Sequence, residues 1–174
     1  AKGDFTLSAD NVKSNDNFFP IPGFGMTFET SEDVTYGISF VGNGANTSYK
    51  PEENFFELTG TSAPYGPLGV ELIQMQILPI WAYKINPNHA VGVSPVIGLQ
   101  VFKAYGLGNF GTPDPTDSDF QFSKDATKLT NNGHSWSYGA GVRVGWLGTF
   151  LDDNKLSLGA AYASKVYMSR FKQY

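Results

Sequence analysis

The chain has 174 residues, no cysteine and a formal net charge of −4. This length suits one domain. The lack of cysteine excludes a disulfide scaffold and a cysteine-based zinc site. The net negative charge, together with the absence of a basic stripe in the sequence, argues against nucleic-acid binding. Aromatic residues make up 15% of the chain and charged residues 16%, with 20 glycines, a balance typical of a β-rich protein with one apolar exterior.

The first hairpin is predicted from a change of pattern at Phe18. Residues 1–17 are polar and lack a sustained period, whereas large and small residues alternate afterwards and predict strands near 18–30 and 35–43. One register keeps the large residues of both strands on one face: Phe28 opposite Tyr36, Met26 opposite Ile38, and Phe24 opposite Phe40. A slip by one residue would mix the two faces.

The second hairpin, with strands near 70–85 and 90–106, follows a long polar loop at 44–67. Its second strand alternates six apolar residues with small or mixed ones: Val91, Val93, Pro95, Ile97, Leu99 and Val101. This uncharged side is long enough to cross a hydrocarbon layer once the strand is tilted. The predicted register places Ile85 opposite Val91, Pro79 opposite Ile97 and Gln76 opposite Gln100. Pro79 and Pro95 count against two regular strands, because proline is usually confined to edges or bulges.

The third hairpin has strands near 134–150 and 155–171 after a second long loop at 107–132. Its register places Arg143 opposite Ala163. The whole chain is therefore predicted to be all-β, an antiparallel up-and-down meander of about six long strands. Short turns connect the strands at one end of the sheet, and long loops connect them at the other. Aromatic residues cluster near both ends of the strands, as in a transmembrane β-barrel. The alternative is a soluble sandwich with an aromatic core.

Three segments are similar to the FadL-type long-chain fatty acid and hydrocarbon transporters of the bacterial outer membrane. They are AYKINPNHAVGVSPVIGLQ (82–100), YGAGVRVGWLGTFLDDNKLSLGAAYASKVYM (138–168) and TYGISFVGNGANTSY (35–49). The resemblance implies a fourteen-stranded barrel with an amino-terminal plug, of which this chain holds six strands and no Asn-Pro-Ala plug motif. Six strands cannot close a membrane barrel, since single-chain barrels begin at eight. We therefore expect a mature product or a piece of a longer barrel, completed by the remaining strands and plug, or an open sheet that assembles with further copies.

Arg143 and Lys165 are the first candidates for a ligand site, because both are predicted to face the lumen as diagonal neighbours. Two cations there could hold the carboxylate of a fatty acid. The alternative is that they pair with acidic groups of strands or a plug outside this chain.

The glycines of Gly42-Asn43-Gly44 permit a bend in the strand. The resemblance implies that this segment carries an inward kink that opens sideways to the membrane. An ordinary strand end is the alternative.

Gln74, Gln76 and Gln100 form a second inward group, either lining a wet pore or binding a ligand. Phe102 and several aliphatic residues also face inward, which suits an apolar cargo or the packing of a plug.

Gly106, Gly108 and Gly111 match a dinucleotide fingerprint in spacing alone, because prolines follow where a helix should begin. No residue pattern supports an enzyme, a metal site or a cofactor; the loop acids Asp114, Asp117 and Asp119 lack the EF-hand spacing for calcium.

The sequence thus predicts passive transport of hydrophobic molecules through the bacterial outer membrane, with lipid outside and an apolar cargo inside. The second hypothesis is a structural β-subunit that pairs edge to edge into an oligomer or fibre.

Overall fold

The computed structural model describes residues 12–51, 67–111, 123–151 and 156–174. They form one antiparallel sheet in which six strands follow each other in chain order, and the sheet is not closed into a barrel. The strands are β1 (Gly23–Glu29), β2 (Val34–Tyr49), β3 (Leu68–Asn86), β4 (His89–Tyr105), β5 (Ser135–Phe150), β6 (Leu156–Ala163) and the short β7 (Tyr167–Met168), which pairs with β5. The predicted up-and-down meander is confirmed, and the described residues contain no second sheet of a sandwich.

The register predicted for the first hairpin is confirmed at every pair. The strand bounds differ from the prediction, however. β1 begins at Gly23 and not near residue 18, because the prolines at 20 and 22 cannot donate ladder hydrogen bonds. β2 continues to Tyr49 and pairs with β3 without any register shift, so Gly42-Asn43-Gly44 neither interrupts nor ends the strand.

The register predicted for the second hairpin is wrong by two residues. Tyr83, not Ile85, lies opposite Val91, and Gln74, not Gln76, lies opposite Gln100. The chain turns through two residues between Asn86 and His89, with an irregularity beside the turn that the sequence pattern did not reveal. Because the error is an even number, each residue still lies on the predicted face.

Pro79 and Pro95 lie opposite each other in the middle of the sheet. The β3–β4 pairing is continuous up to Ile77–Ile97 and again from Trp81–Val93 but omits the three positions between them, whereas each proline keeps its pairing with the other neighbouring strand. Lys84 N–H donates to Asp33 O on the β2 side, so odd-numbered residues of β3, including Pro79, direct their backbone groups towards β4. Because the missing N–H groups of both prolines point at each other, the two prolines interrupt the β3–β4 ladder at one site, over three positions, instead of at two separate sites. Ser94 Oγ, 3.2 Å away, donates to the Pro95 carbonyl oxygen.

Replacing Pro79 with valine should restore one hydrogen bond, because the new N–H points at the Pro95 carbonyl. We expect a gain in the free energy of unfolding of about 1 kcal/mol relative to Pro87→Val, a turn substitution that measures only the lost rigidity of proline. Urea unfolding of both variants provides the comparison. Equal stabilities of Pro79→Val and Pro87→Val would mean that the gap is already filled by another donor.

The third hairpin begins as predicted and then becomes irregular. Arg143 lies opposite Ala163, which confirms the predicted register, but Tyr167 lies opposite Ala140, so the edge strand contains one extra residue between these pairs. Such a bulge bends a strand. The continuous strand predicted to residue 171 is therefore wrong, because β6 ends at Ala163 and, in the C-terminal segment, residues 164–174, only the short β7 resumes the ladder with β5.

The two faces of the sheet differ in composition and in burial. The apolar face carries Met26, Ile38, Ile77, Ile97 and Val142; the mixed face carries Ser39, Leu78, Val96, Arg143 and Ala161. Among the described residues, the side chains that are buried all belong to the mixed face: Leu68, Leu78, Ser94, Val96, Ala104, Ser135 and Ser137. The mixed face is thus the more enclosed side, and the apolar face is open.

Candidate functional site

The apolar face is a continuous band that crosses the sheet from β1 to β6. Its large side chains are at least a third exposed at most positions, including Ile97 at 43%, Val142 at 40% and Val144 at 42%. Along β4 the band runs from Val91 to Val101, which is roughly 33 Å at about 3.3 Å per residue. With the tilt of strands in membrane barrels, this length covers an apolar layer of about 25 Å.

A row of polar residues ends the band on the side of the long loops. Glu71 and Lys103 lie opposite each other one step beyond the last apolar pair, and His134 is the residue directly before β5. His134 Nε2 lies 3.3 Å from Glu71 Oε2, and Lys103 Nζ lies 5.2 Å from the centre of the Tyr105 ring. The change from apolar to polar residues therefore occurs at one level on β3, on β4 and at the start of β5.

Aromatic rings border the band at the short turns. Trp81 stacks with Tyr83 at a centroid distance of 6.2 Å. The His89 ring stacks on Trp146 at 5.7 Å and meets the edge of Phe150 at 5.5 Å. Aromatic residues of this kind are enriched at the interface between hydrocarbon and water.

A groove of about 250 Å³ lies on the mixed face beside the Pro79–Pro95 gap. Its walls are aliphatic except for two serines and Arg143, and include Leu78, Ile80 and Ala161. Arg143 is exposed, and no carboxylate among the described residues forms an ion pair with it. An apolar groove with one unpaired cation can hold a molecule that has a hydrocarbon chain and an anionic head group.

The other predicted site residues lie elsewhere. Gln74 lies opposite Gln100, and Gln76 lies opposite Gly98, so the three glutamines form one group as expected. Ser94 is the partner of Arg143, so Gln100 is six residues, or about 20 Å, from the groove along β4. Sequence reasoning did not indicate this separation.

Phe102 lies on the mixed face, as predicted, and the C-terminal segment covers it. Its ring lies 5.3 Å from Phe171 and 5.0 Å from Tyr174, measured between centroids. The Tyr174 hydroxyl donates to the Gly133 carbonyl at 2.7 Å and accepts from the Ala104 N–H at 3.1 Å. The alternation becomes less regular after Ser164, and this was the available signal, but the prediction kept a strand to residue 171 and not a segment folded over the mixed face.

Lys165 is separated from Arg143 by the bulge. The extra residue removes the regular diagonal relation on which their pairing was based. Lys165 Nζ lies 5.7 Å from the centre of the exposed Tyr167 ring. Val166 and Met168 instead lie within contact distance of where a Cβ on Gly98 would be, which places them against the mixed face. The binding role of Lys165 stays a prediction.

The glycines at 42 and 44 make room for residues 19–22 on the apolar face. A Cβ on Gly44 would come within 2.8 Å of the Phe19 ring, and one on Gly42 within 2.8 Å of the Pro22 carbonyl oxygen. Gly42 N–H donates to that oxygen at 2.9 Å, but the next edge-facing N–H, of Gly44, donates to the Asn43 side chain. Regular pairing on this side of β2 thus ends at Gly42, beside an apolar cavity of about 390 Å³.

The described residues contain no group of three or more acidic, histidine or cysteine side chains that could hold a metal ion. They include no helix with the length and apolarity needed to span a membrane. The acids at 114, 117 and 119 lie outside the described residues.

In the neighbouring loop, hydrogen bonds from the Thr127 hydroxyl and N–H lower the pKa of the exposed Asp125 carboxyl, which caps a short 3₁₀ turn.

Comparisons with known proteins add no relative: no family model, no curated protein and no solved structure matches the chain.

Proposed function

We propose that the chain forms part of the wall of a bacterial outer-membrane β-barrel that passively transports hydrophobic molecules, such as long-chain fatty acids. The observation that carries this proposal is the apolar face, which is exposed across six strands and ends in polar residues at one level. Exposed apolar patches of this extent are rare on soluble monomers. A hydrocarbon layer would cover the band without any further protein.

The mixed face supports an amphiphilic cargo. Arg143 supplies a cation at the edge of an aliphatic groove, and the backbone gap at Pro79 and Pro95 lies next to it. A carboxylate at Arg143 would leave the hydrocarbon chain along Leu78 and Ile80. No step of this model requires catalysis, a metal or a cofactor, so we propose a transport protein and not an enzyme.

The edge of β2 beyond Gly42 supports a lateral exit for such a cargo. Regular backbone pairing on the β1-facing side of β2 stops at Gly42, and glycine backbone forms the wall of the proposed barrel at this point. On one side lies the mixed face and on the other the apolar cavity beneath residues 19–22. Cargo leaving at this position would pass from the lumen into the hydrocarbon layer.

Binding of fatty acids of increasing length to the chain in detergent micelles tests the proposal. Each buried methylene contributes about 0.8 kcal/mol, so affinity should rise about fourfold per carbon until the groove is filled. Micelle partitioning is measured in parallel without protein and subtracted. An affinity that does not depend on chain length would contradict transport of hydrophobic cargo.

A further inference from the structure

The C-terminal segment lies on the mixed face between the groove beside Arg143 and the long loops. It passes Gly141, two residues from Arg143 on β5, and its Phe171 ring packs on Phe102. Phe102 is eight residues beyond Ser94, the partner of Arg143, which is about 26 Å along β4. A molecule that travels from the long loops to the groove along β4 and β5 therefore has to pass this segment.

Two apolar side chains of the segment occupy the space next to the groove. A Cβ on Gly98 would come within 3.0 Å of the Met168 Sδ and 3.2 Å of the Val166 Cγ1, and a Cβ on Gly141 within 3.2 Å of the Val166 Cγ2. Gly141 lies opposite Val96, which is buried. The segment thus makes the apolar contact with this wall that the hydrocarbon of a bound molecule would otherwise make. Methionine is unbranched and adaptable, so its side chain matches an acyl chain in shape.

Serine side chains supply several of the hydrogen bonds that hold the segment to β5. Ser164 Oγ accepts from the Val142 N–H at 2.9 Å, and Ser169 Oγ accepts from the Tyr138 N–H at 3.1 Å. The regular strand within the segment, β7, has two residues, against eight in β6. Parts of a fold with few regular backbone hydrogen bonds open locally at a lower cost than the centre of a sheet. We therefore expect the segment to leave the mixed face while β2 to β5 stay paired.

We propose that the C-terminal segment is a displaceable gate, and that an acyl chain longer than the groove takes the place of Val166 and Met168. This inference rests on the proposed function and adds a moving part to it. The carboxylate stays at Arg143 and the first carbons lie along Leu78 in the groove. The later carbons continue over Gly98 towards the long loops. A ligand that binds the open arrangement better than the closed one shifts the population towards it.

A disulfide that locks the segment tests the gate, and this sequence has no cysteine to interfere. Ser137 and Ser169 suit this purpose, because their hydroxyl oxygens lie 3.4 Å apart. Fatty-acid binding to Ser137→Cys with Ser169→Cys is measured in detergent micelles before and after mild oxidation. In the oxidised form, the affinity should stop rising at a shorter chain length. The longest acids should then bind at least tenfold more weakly, which corresponds to two methylenes without contact. Reduction should restore the longer range.

Thr149→Cys with Ser157→Cys is the matched control, because it joins opposite residues of β5 and β6 near the short turn and leaves the segment free. Its oxidation should not change the length dependence. The same change in this control, or failure of the thiols at 137 and 169 to join, would overturn the gate. Length-dependent binding that the lock leaves unchanged overturns the gate alone, whereas binding without length dependence in either form overturns the proposed function and the gate with it.

Met168→Ala provides a second measurement that needs no cross-link. The shorter side chain leaves less to displace, so the longest acids should bind several-fold more tightly, while acids that fit within the groove should bind as before. Tyr167→Ala is the control, since the Tyr167 side chain is exposed and its partner Ala140 belongs to the apolar face. Unchanged or weaker binding of the longest acids to Met168→Ala would contradict the gate.

Discussion

Replacing Ile97 with arginine is expected to lower the free energy of unfolding in a lipid bilayer by about 2–4 kcal/mol. Ile97 lies in the middle of the apolar band, opposite Ile77 on one side and Ala140 on the other. A guanidinium there would face hydrocarbon far from either polar border. In water the same exposed position would tolerate the charge within about 0.5 kcal/mol, so the large effect depends on lipid.

Gln76→Arg is the matched control, because Gln76 occupies a neighbouring level of the sheet on the mixed face. A charge on that side would face the lumen and should cost much less. Both variants are compared with the natural chain by denaturant unfolding in the same vesicles. Equal losses for Ile97→Arg and Gln76→Arg would contradict the assignment of the two faces.

Replacing Arg143 with alanine is expected to lower the affinity for a long-chain fatty acid at least tenfold. A hydrogen bond between a guanidinium and a carboxylate contributes about 1.5–3 kcal/mol, and the groove offers no second cation among its lining residues. Binding of the corresponding methyl ester, which has no charge, should change little. Titration calorimetry with the acid and the ester measures both effects.

Lys165→Ala serves as the control for Arg143→Ala, since Lys165 contacts Tyr167 and does not line the groove. Its effect on acid binding should be several times smaller. An unchanged affinity in Arg143→Ala, or an equal loss in both variants, would remove the proposed role of Arg143 as the carboxylate ligand.

The sidedness of the strands was predictable from the sequence, because alternation is a local property that tertiary contacts do not change. The pairs Phe24–Phe40 and Arg143–Ala163 followed from it directly. The register at Asn86 did not, because two turn lengths that differ by an even number of residues preserve the same alternation. Short turns leave such ambiguities that only the backbone geometry resolves.

The candidate site was less predictable. The alternation predicts that Arg143 is a cation on the mixed face, but its distance from the glutamines required the register of β3 to β5. The bulge after Ala163 moved Lys165 away from the expected face, and a single inserted residue leaves almost no trace in an alternating pattern. Pro79 and Pro95 are the opposite case. Each proline, considered by itself, argues against a regular strand. Because the two lie opposite each other, however, their missing N–H groups interrupt the same part of the sheet.

Fluorescence of the three tryptophans tests the central claim most directly, because Trp81, Trp136 and Trp146 all belong to the apolar face. In vesicles made with lipids that carry bromine on the acyl chains, their emission should be strongly quenched, while iodide in the water should have little effect. Emission that iodide quenches and brominated lipid leaves unchanged would contradict contact between this face and the membrane.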